Sequence, residues 1–313
     1  MKHADFFLRN NHQNKEALEK PLSRFLDLIH GKTARTPFKA EYAMYAAFSA
    51  SLKSACLSRQ VGASITDEEG TVISTGCNDV PKALGGLYSA EDGADDHRCI
   101  NLAGGKCFND EHKTKLTQAI ANILISNSID KLLAEKIAAQ IKSETRLKDL
   151  LEFSRSVHAE MDALVSIARR GGDSVARGSL YTTTFPCHNC ARHIVAAGIA
   201  KVFYIEPYEK SLALELHDDA IISEIEDATS TKVQFLHFEG VAPRKYQELF
   251  NNVVERKVNG VARDFNSRTA AKTQVQYLDG YRDLEAKVTQ YLNDSGYTPE
   301  KIVELTEPEA ASS

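Results

Sequence analysis

The sequence predicts an α/β fold: a five-stranded mixed sheet with helices on both faces, a helical insertion and a helical C-terminal tail. Three observations lead there. A hairpin pattern over 61–76 precedes three alternations of helix and strand between 158 and 239, which gives antiparallel pairing first and parallel pairing afterwards. Two reactive stretches, His158-Ala159-Glu160 and Pro186-Cys187-His188-Asn189-Cys190, each open a predicted helix. The chain between hairpin and first reactive stretch, 82–155, has neither pattern and reads as an insertion.

Each element has a local reason. Leu18, Leu22, Phe25, Leu26 and Ile29 recur at helical spacing, so 16–29 is a helix, stopped at His30-Gly31-Lys32 before a linker with Pro37. Residues 40–57, rich in Ala and aromatic side chains, form the next helix. Val61 to Thr66 and Thr71 to Gly76 are strands joined by the turn Asp67-Glu68-Glu69-Gly70. Asn78-Asp79-Val80-Pro81 breaks into a loop. Residues 82–113 are rich in Gly, Asp and Cys, and 115–152 is helical with a break near Ser126-Asn127-Ser128. A helix then runs from His158 to Arg170 and ends at Gly171-Gly172. Strand 179–185, helix 187–197, strand 201–206, helix 211–223 and strand 232–239 follow. Beyond 242 the chain is polar, with a helix expected over 273–292 and disorder from Thr306. The organisation is an N-terminal helical segment (1–39), a main domain (40–250, insertion 82–155) and a C-terminal helical tail (251–313).

A net charge of -5 argues against a broad basic surface for polynucleotides but leaves room for a local phosphate pocket. The opening Met1-Lys2-His3-Ala4-Asp5 has no apolar signal segment, and no run approaches a membrane span, so a cytoplasmic location is expected. Thiols stay reduced there, and the six cysteines, with histidines nearby, point to metal binding before disulfides.

His158, Cys187 and Cys190 supply one imidazole and two thiolates. Three protein ligands on zinc leave a fourth position open, the plan of a catalytic site. Cys187 and Cys190, three apart at a helix start, share one face, and the helix N-terminus favours their thiolates. Pro186 fits the first turn, where its missing N–H costs nothing. Glu160 is then a proton carrier. The plainer alternative is a structural zinc knuckle or unpaired thiols, which a lone C-x-x-C would not exclude. The added H-x-E speaks against it.

H-x-E followed by P-C-x-x-C resembles the cytidine/deoxycytidylate deaminase superfamily. The resemblance implies its three-layer fold, one catalytic Zn2+, water activated for attack on C4 of cytosine, and Glu160 as catalytic proton shuttle. Ser54 to Ala63 resembles the S-x-C-x-x-R-x-V-G-A strand entry of deoxycytidylate deaminases, and Ser74 to Pro81 their S-x-G-x-N-G-x-P loop, with Asp79 in place of glycine. It implies that Asn78 binds the sugar-phosphate side, that Ala159 donates its backbone N–H to the pyrimidine, and that Arg59 meets a phosphate. An Arg at a strand entry is as often a surface charge.

Residues 180–186, 205–211, 4–10 and 243–246 are similar to the deaminase domain of anti-phage dCTP deaminases, in which a P-loop kinase-like domain comes first. No G-x-x-x-x-G-K-[ST] occurs, so 1–39 reads as a remnant of such a domain. The resemblance implies conversion of dCTP and dCMP to dUTP and dUMP, phage defence by nucleotide depletion, a homo-oligomer (a hexamer among its forms), and an RNA or protein inhibitor. Tyr208 and Lys210 become candidate base and phosphate contacts, against a half-packed tyrosine and a solvated lysine.

Deoxycytidylate deaminases often carry a structural zinc that uses a cysteine at the Cys56 position. Cys56, His97, Cys99 and Cys107 are the candidate ligands of a second, structural zinc, and free thiols in a loop are the alternative. Cys77 reads as packing. Two other function classes share the main motif: a polynucleotide deaminase acting on tRNA or single-stranded DNA, and a nucleotide-sensing protein with an inactive site. The acidic net charge counts against the former and an intact Glu160 against the latter.

Overall fold

A computed structural model describes residues 3–10, 15–32, 35–102, 104–172, 174–223, 231–251, 256–262, 265–266 and 281–296. In chain order the elements are β1 (Phe6–Phe7), α1 (Lys15–Ile29), α2 (Lys39–Ser51), β2 (Gly62–Thr66), β3 (Val72–Cys77), α3 (Phe108–Ser126), α4 (Lys131–Glu144), α5 (Ala159–Arg170) and β4 (Ser179–Thr184). They continue with α6 (His188–Ala196), β5 (Lys201–Glu206), α7 (Ala213–Leu216), β6 (Ile221–Ile222), β7 (Val233–His237), β8 (Gly240–Val241), α8 (Tyr246–Phe250), β9 (Lys257–Val258), β10 (Val261–Ala262) and α9 (Tyr281–Asp294).

The central sheet runs β3-β2-β4-β5-β7-β6. β2 pairs antiparallel with both β3 and β4, whereas β4–β5, β5–β7 and β6–β7 are parallel. The pleat of β4 sorts side chains to opposite faces. Leu180 joins the larger core with Ala163 of α5, Ile194 of α6 and Phe235, while Tyr181 joins the core of Ala43, Met44 and Ala47 on α2. The sheet therefore lies between two helical layers. Two glycines set how closely those layers sit. A Cβ on Gly62 would lie 1.9 Å from the Ala47 carbonyl oxygen of α2, and one on Gly76 2.3 Å from that of Ala159, at the start of α5.

The sheet has six strands where five were expected. The sixth, β6, lies in the stretch expected to be helical over 211–223, where the helix is confined to Ala213–Leu216. Ile221 and Ile222 are β-branched and extend the parallel edge beside Val233 and Gln234. α2 likewise stops at Ser51 instead of 57. Ser54 Oγ donates to the Asn78 carbonyl and Ala55 N–H to the Asp79 carboxylate, so the chain leaves the helix to meet the loop after β3.

The insertion holds α3 and α4, which pack together with Ala121, Ala134 and Ala138 buried. Their break falls at Asn127, and Asp130 caps α4 by accepting from Leu132 and Leu133 N–H. At the N-terminus β1 pairs antiparallel with β8, and the Phe6 ring packs tilted against Phe25 of α1 with centroids 4.7 Å apart. In the tail, β9–β10 form a hairpin and α9 covers part of the helix expected over 273–292. Residues 273–280 and the segment from Thr306 lie outside the described residues. Among the described residues no helix is long and apolar enough to cross a membrane.

Candidate active site and metal centre

Both reactive stretches sit where the chain turns from extended to helical. His158 is the N-cap of α5 (ψ 154°) and Cys187 the N-cap of α6 (ψ 163°), each with extended backbone before the first turn. α5 is tied to β3: Ser74 Oγ donates to the Ala163 carbonyl, and Cys77 N–H to the Asp162 carboxylate. The residue before His158 is held too, since Val157 N–H donates to the Asp79 carbonyl at 2.9 Å. α6 follows β4 directly, and Ser211 Oγ pins the Pro186 carbonyl at 2.7 Å.

These anchors bring His158 Nδ1 to 3.3 Å from Cys187 Sγ and 3.4 Å from Cys190 Sγ. All three donor atoms lie within 4.8 Å of one another, and among the described residues this is the group of His, Cys, Asp or Glu that does so. The Cys187 thiol is drawn down to about 4, chiefly by the hydrogen bond from Cys190 and then by His158. His158 is raised to about 9, chiefly by its bond to Cys187. Cys190 is pushed up by its bond to Cys187 and by burial. Negative charge on one sulfur is thus stabilised by protons on its neighbours, the task a divalent cation performs for a Cys₂His set. The residues fit zinc in chemistry and in spacing.

Glu160 lies in the first turn of α5, 4% exposed, and burial raises its carboxyl from the ordinary value. It shares one cavity with His158, Ala159, Cys187, Asn78, Arg59 and Tyr208, so every residue expected in the reaction or in substrate binding lines the same space, except Cys190 and Lys210. The Arg59 guanidinium sits 5.7 Å from the Tyr208 ring centroid and has no ion pair or side-chain hydrogen bond among the described residues. Burial raises the Tyr208 hydroxyl. Lys210 pairs with Asp149 of the insertion at 2.9 Å.

Asn78 spends both ends of its amide on the backbone. Oδ1 accepts from Val61 N–H at 2.7 Å and Nδ2 donates to the Arg59 carbonyl at 2.8 Å. It thereby shapes the segment that presents Arg59. Asp79, the departure from the expected glycine, is 2% exposed and accepts from Ala55 N–H and Val80 N–H. It also faces Arg98 of the insertion at 3.8 Å, and Arg98 is itself clamped by Asp96 at 2.6 Å. Sequence reasoning passed over Asp96, Arg98 and Asn109, the insertion residue on the cavity wall. The available signal was the charged residue replacing a glycine, since a buried carboxylate calls for a cation.

The candidate second metal set is only partly gathered. Cys56 and Cys107 are near enough to disfavour the Cys99 thiolate, whose value is raised first by burial. Arg155 Nη1 donates to the His97 carbonyl at 3.0 Å and reaches Cys99 Sγ at 4.0 Å, while the His97 ring packs edge-on to Tyr88. Cys77 is buried, which pushes its thiol up to about 11 and suits packing.

The model of the cytidine and deoxycytidylate deaminase zinc-binding region matches residues 38–206. The deoxycytidylate deaminase of Enterobacteria phage T4 is 30% identical over 174 residues, 55% of this chain and 80% of that protein. That of Enterobacteria phage T2 is 30% identical over 175 residues, 55% and 82%. A solved cyanophage S-TIM5 dCMP deaminase, in complex with dCMP and dUMP, aligns at TM-score 0.38 and 19% identity over 66% of this chain and 100% of that one. The matched region runs from the start of α2 to the end of β5 and contains each donor that converges beside Glu160, and on that match the chain belongs to the cytidine and deoxycytidylate deaminase family.

Proposed function

We propose that the protein hydrolyses cytosine deoxynucleotides, dCMP and dCTP, to the uracil nucleotides and ammonia, and that it serves phage defence by depleting dCTP. The observation that carries the reading is the buried Glu160 carboxyl beside the His158–Cys187–Cys190 donor set in a cavity that also holds Arg59, which has no ion pair among the described residues. The phage T4 and T2 relatives bear the name deoxycytidylate deaminase, which supports a deoxycytidine nucleotide as substrate. A neighbouring groove shares Ser58, Arg59 and Thr184 with the cavity, which supports room for a longer phosphate chain around the same guanidinium.

His158, Cys187 and Cys190 would hold zinc, which when bound would supply the Lewis acidity that activates water near neutral pH. Glu160 takes a proton from the attacking water as its oxygen bonds to C4, and passes that proton to ring N3. It then moves the second water proton to the exocyclic amine. The C4–N4 bond breaks, ammonia leaves, and C4 keeps the oxygen as the uracil carbonyl. One buried carboxyl suffices because each proton is delivered before the next is taken. The Ala159 N–H holds the pyrimidine, Tyr208 lies along the base, and Arg59 takes phosphate. A second, structural zinc on Cys56, His97, Cys99 and Cys107 belongs to the same reading. Two zincs per chain by elemental analysis are expected, and one removes that site.

The test is turnover of dCTP, dCMP, CTP and a cytosine-containing oligonucleotide by purified protein. Deamination of the free deoxynucleotides is expected. Deamination confined to the oligonucleotide overturns the proposal.

A further inference from the structure

We propose that Arg98, supplied by the insertion, is a positioning residue for the reaction: it neutralises the buried Asp79 and so fixes the backbone from which His158 and Glu160 are hung. This rests on reading the cavity as the site of a cytosine-deoxynucleotide deaminase. Neither Arg98 nor Asp79 lines that cavity, so both act through other residues. Asp79 is 2% exposed, and its Oδ2 accepts from Ala55 N–H at 2.8 Å. Arg98 Nη1 stands 3.8 Å from the same oxygen. The other guanidinium nitrogens are taken by Asp96, Nε at 2.9 Å and Nη2 at 2.6 Å, which keeps the fork from turning away. A carboxylate enclosed this far needs a cation, and loss of that cation drives Asp79 toward water.

Asp79 joins two walls of the site. Its carbonyl accepts from Val157 N–H at 2.9 Å, and the two residues form an antiparallel bridge. His158, the N-cap of α5, comes next, and Glu160 two residues later. The Asp79 carboxylate holds Ala55, which precedes the cavity residue Cys56. A second tie runs alongside: Arg155 Nη1 donates to the carbonyl of His97, the neighbour of Arg98, at 3.0 Å. Residues 96–99 of the insertion therefore buckle the loop after β3 to the chain that enters α5. The Arg59 segment has its own anchor in the Asn78 amide, which does not run through the Asp79 carboxylate. Displacement of Asp79 thus bears on the reacting groups more than on phosphate binding, and a shift of about 1 Å in such groups costs on the order of a hundredfold in rate.

Steady-state turnover of dCMP by zinc-loaded protein tests this, together with thermal midpoints and the rate of zinc loss to a chelator. Arg98→Met should lower kcat by about tenfold to a hundredfold, leave KM within about twofold and release zinc faster. It strands Asp79 and Asp96 alike, so each is neutralised in turn. Asp79→Asn added to Arg98→Met should recover most of kcat and slow zinc release. Asp96→Asn added instead should raise the midpoint and leave kcat low. Should Arg98→Met not fold, the two double variants are compared with each other, and the one carrying Asp79→Asn should turn over faster. Equal kcat in the two, a loss confined to KM, a wild-type kcat in Arg98→Met, or failure of the double variant carrying Asp79→Asn to fold overturns the assignment. With wild type that turns over dCMP, any of these results removes the Arg98 role alone. Wild type that deaminates no cytosine deoxynucleotide removes the cavity reading and this assignment with it.

Discussion

Glu160 carries the largest single consequence of any residue. It is enclosed in the first turn of α5 and adjoins the donor set without belonging to it. Glu160→Gln preserves shape and removes the movable proton. Turnover should fall by at least ~10²–10⁴-fold while bound zinc, measured by elemental analysis, stays at the wild-type level. Loss of zinc together with activity would instead make Glu160 a ligand. Asp96 acts at the same scale but on stability. The Arg98 guanidinium beside it, outweighing burial, holds its carboxyl below the usual carboxylate range. A lowered folded value means that stability from this pair is fully present above the ordinary carboxylate pKa near 3.8 and is lost as pH falls through the lowered one. Asp96→Asn should therefore be less stable than wild type at pH 7, and the gap should close toward pH 2. Urea midpoints at several pH values give the comparison, and a gap independent of pH would contradict it.

At the scale of elements, the site depends on how closely α5 lies on β3. Gly76 faces the first turns of α5, where a Cβ would meet Ala163 N at 2.4 Å as well as the Ala159 carbonyl. Both contacts are backbone, so no side chain can swing aside. Gly76→Ala must lift the N-terminal end of α5, and with it His158 and Glu160. Weaker zinc retention on dialysis against a chelator is expected, together with a lower kcat; wild-type values for both would show that the layer has slack. The strand positions pointing to this were readable as an alternating pattern, but the identity of the facing helix was not. Gly62 and Gly76 look alike in sequence and meet helices on opposite faces.

For the whole molecule, the N-terminal segment is stitched to the family domain through a buried ion pair. Glu41 of α2, 1% exposed, receives Arg24 of α1 on both oxygens at 2.7 and 2.6 Å, and also accepts from Phe38 N–H and Val241 N–H. Arg24→Met strands a carboxylate in the interior and should destabilise the fold by about 3–5 kcal/mol. Thermal unfolding measures it, and an unchanged midpoint would mean that the segment docks without energetic weight. This link was not legible: Arg24 and Glu41 are 17 residues apart and nothing local joins them. The alternation of helix and strand, the hairpin and the His158, Cys187 and Cys190 cluster were legible, because each is written in residue type over a few positions. The sixth strand was not legible because 211–223 reads as one helix, whereas the helix ends at Leu216 and Ile221–Ile222 pair with β7. The commitment of Asn78 to backbone and the entry of the insertion into the cavity depend on long-range packing, which leaves no period in the chain.

The ligand spacing also bears on how the protein reaches its folded state. His158 and Cys187 touch in space at 3.3 Å yet lie 29 residues apart, with all of α5 and β4 between them. A metal ion joining the two ends early closes that loop and removes its share of the chain-entropy barrier, a penalty that grows only logarithmically with loop length. The enclosed segment is α5 and β4, and β4 is the strand on which the parallel half of the sheet is then built, a non-local topology that folds slowly. Refolding in excess zinc should therefore outpace refolding in a chelator, so that metal supply governs the rate at which new chains become competent as well as their activity once folded.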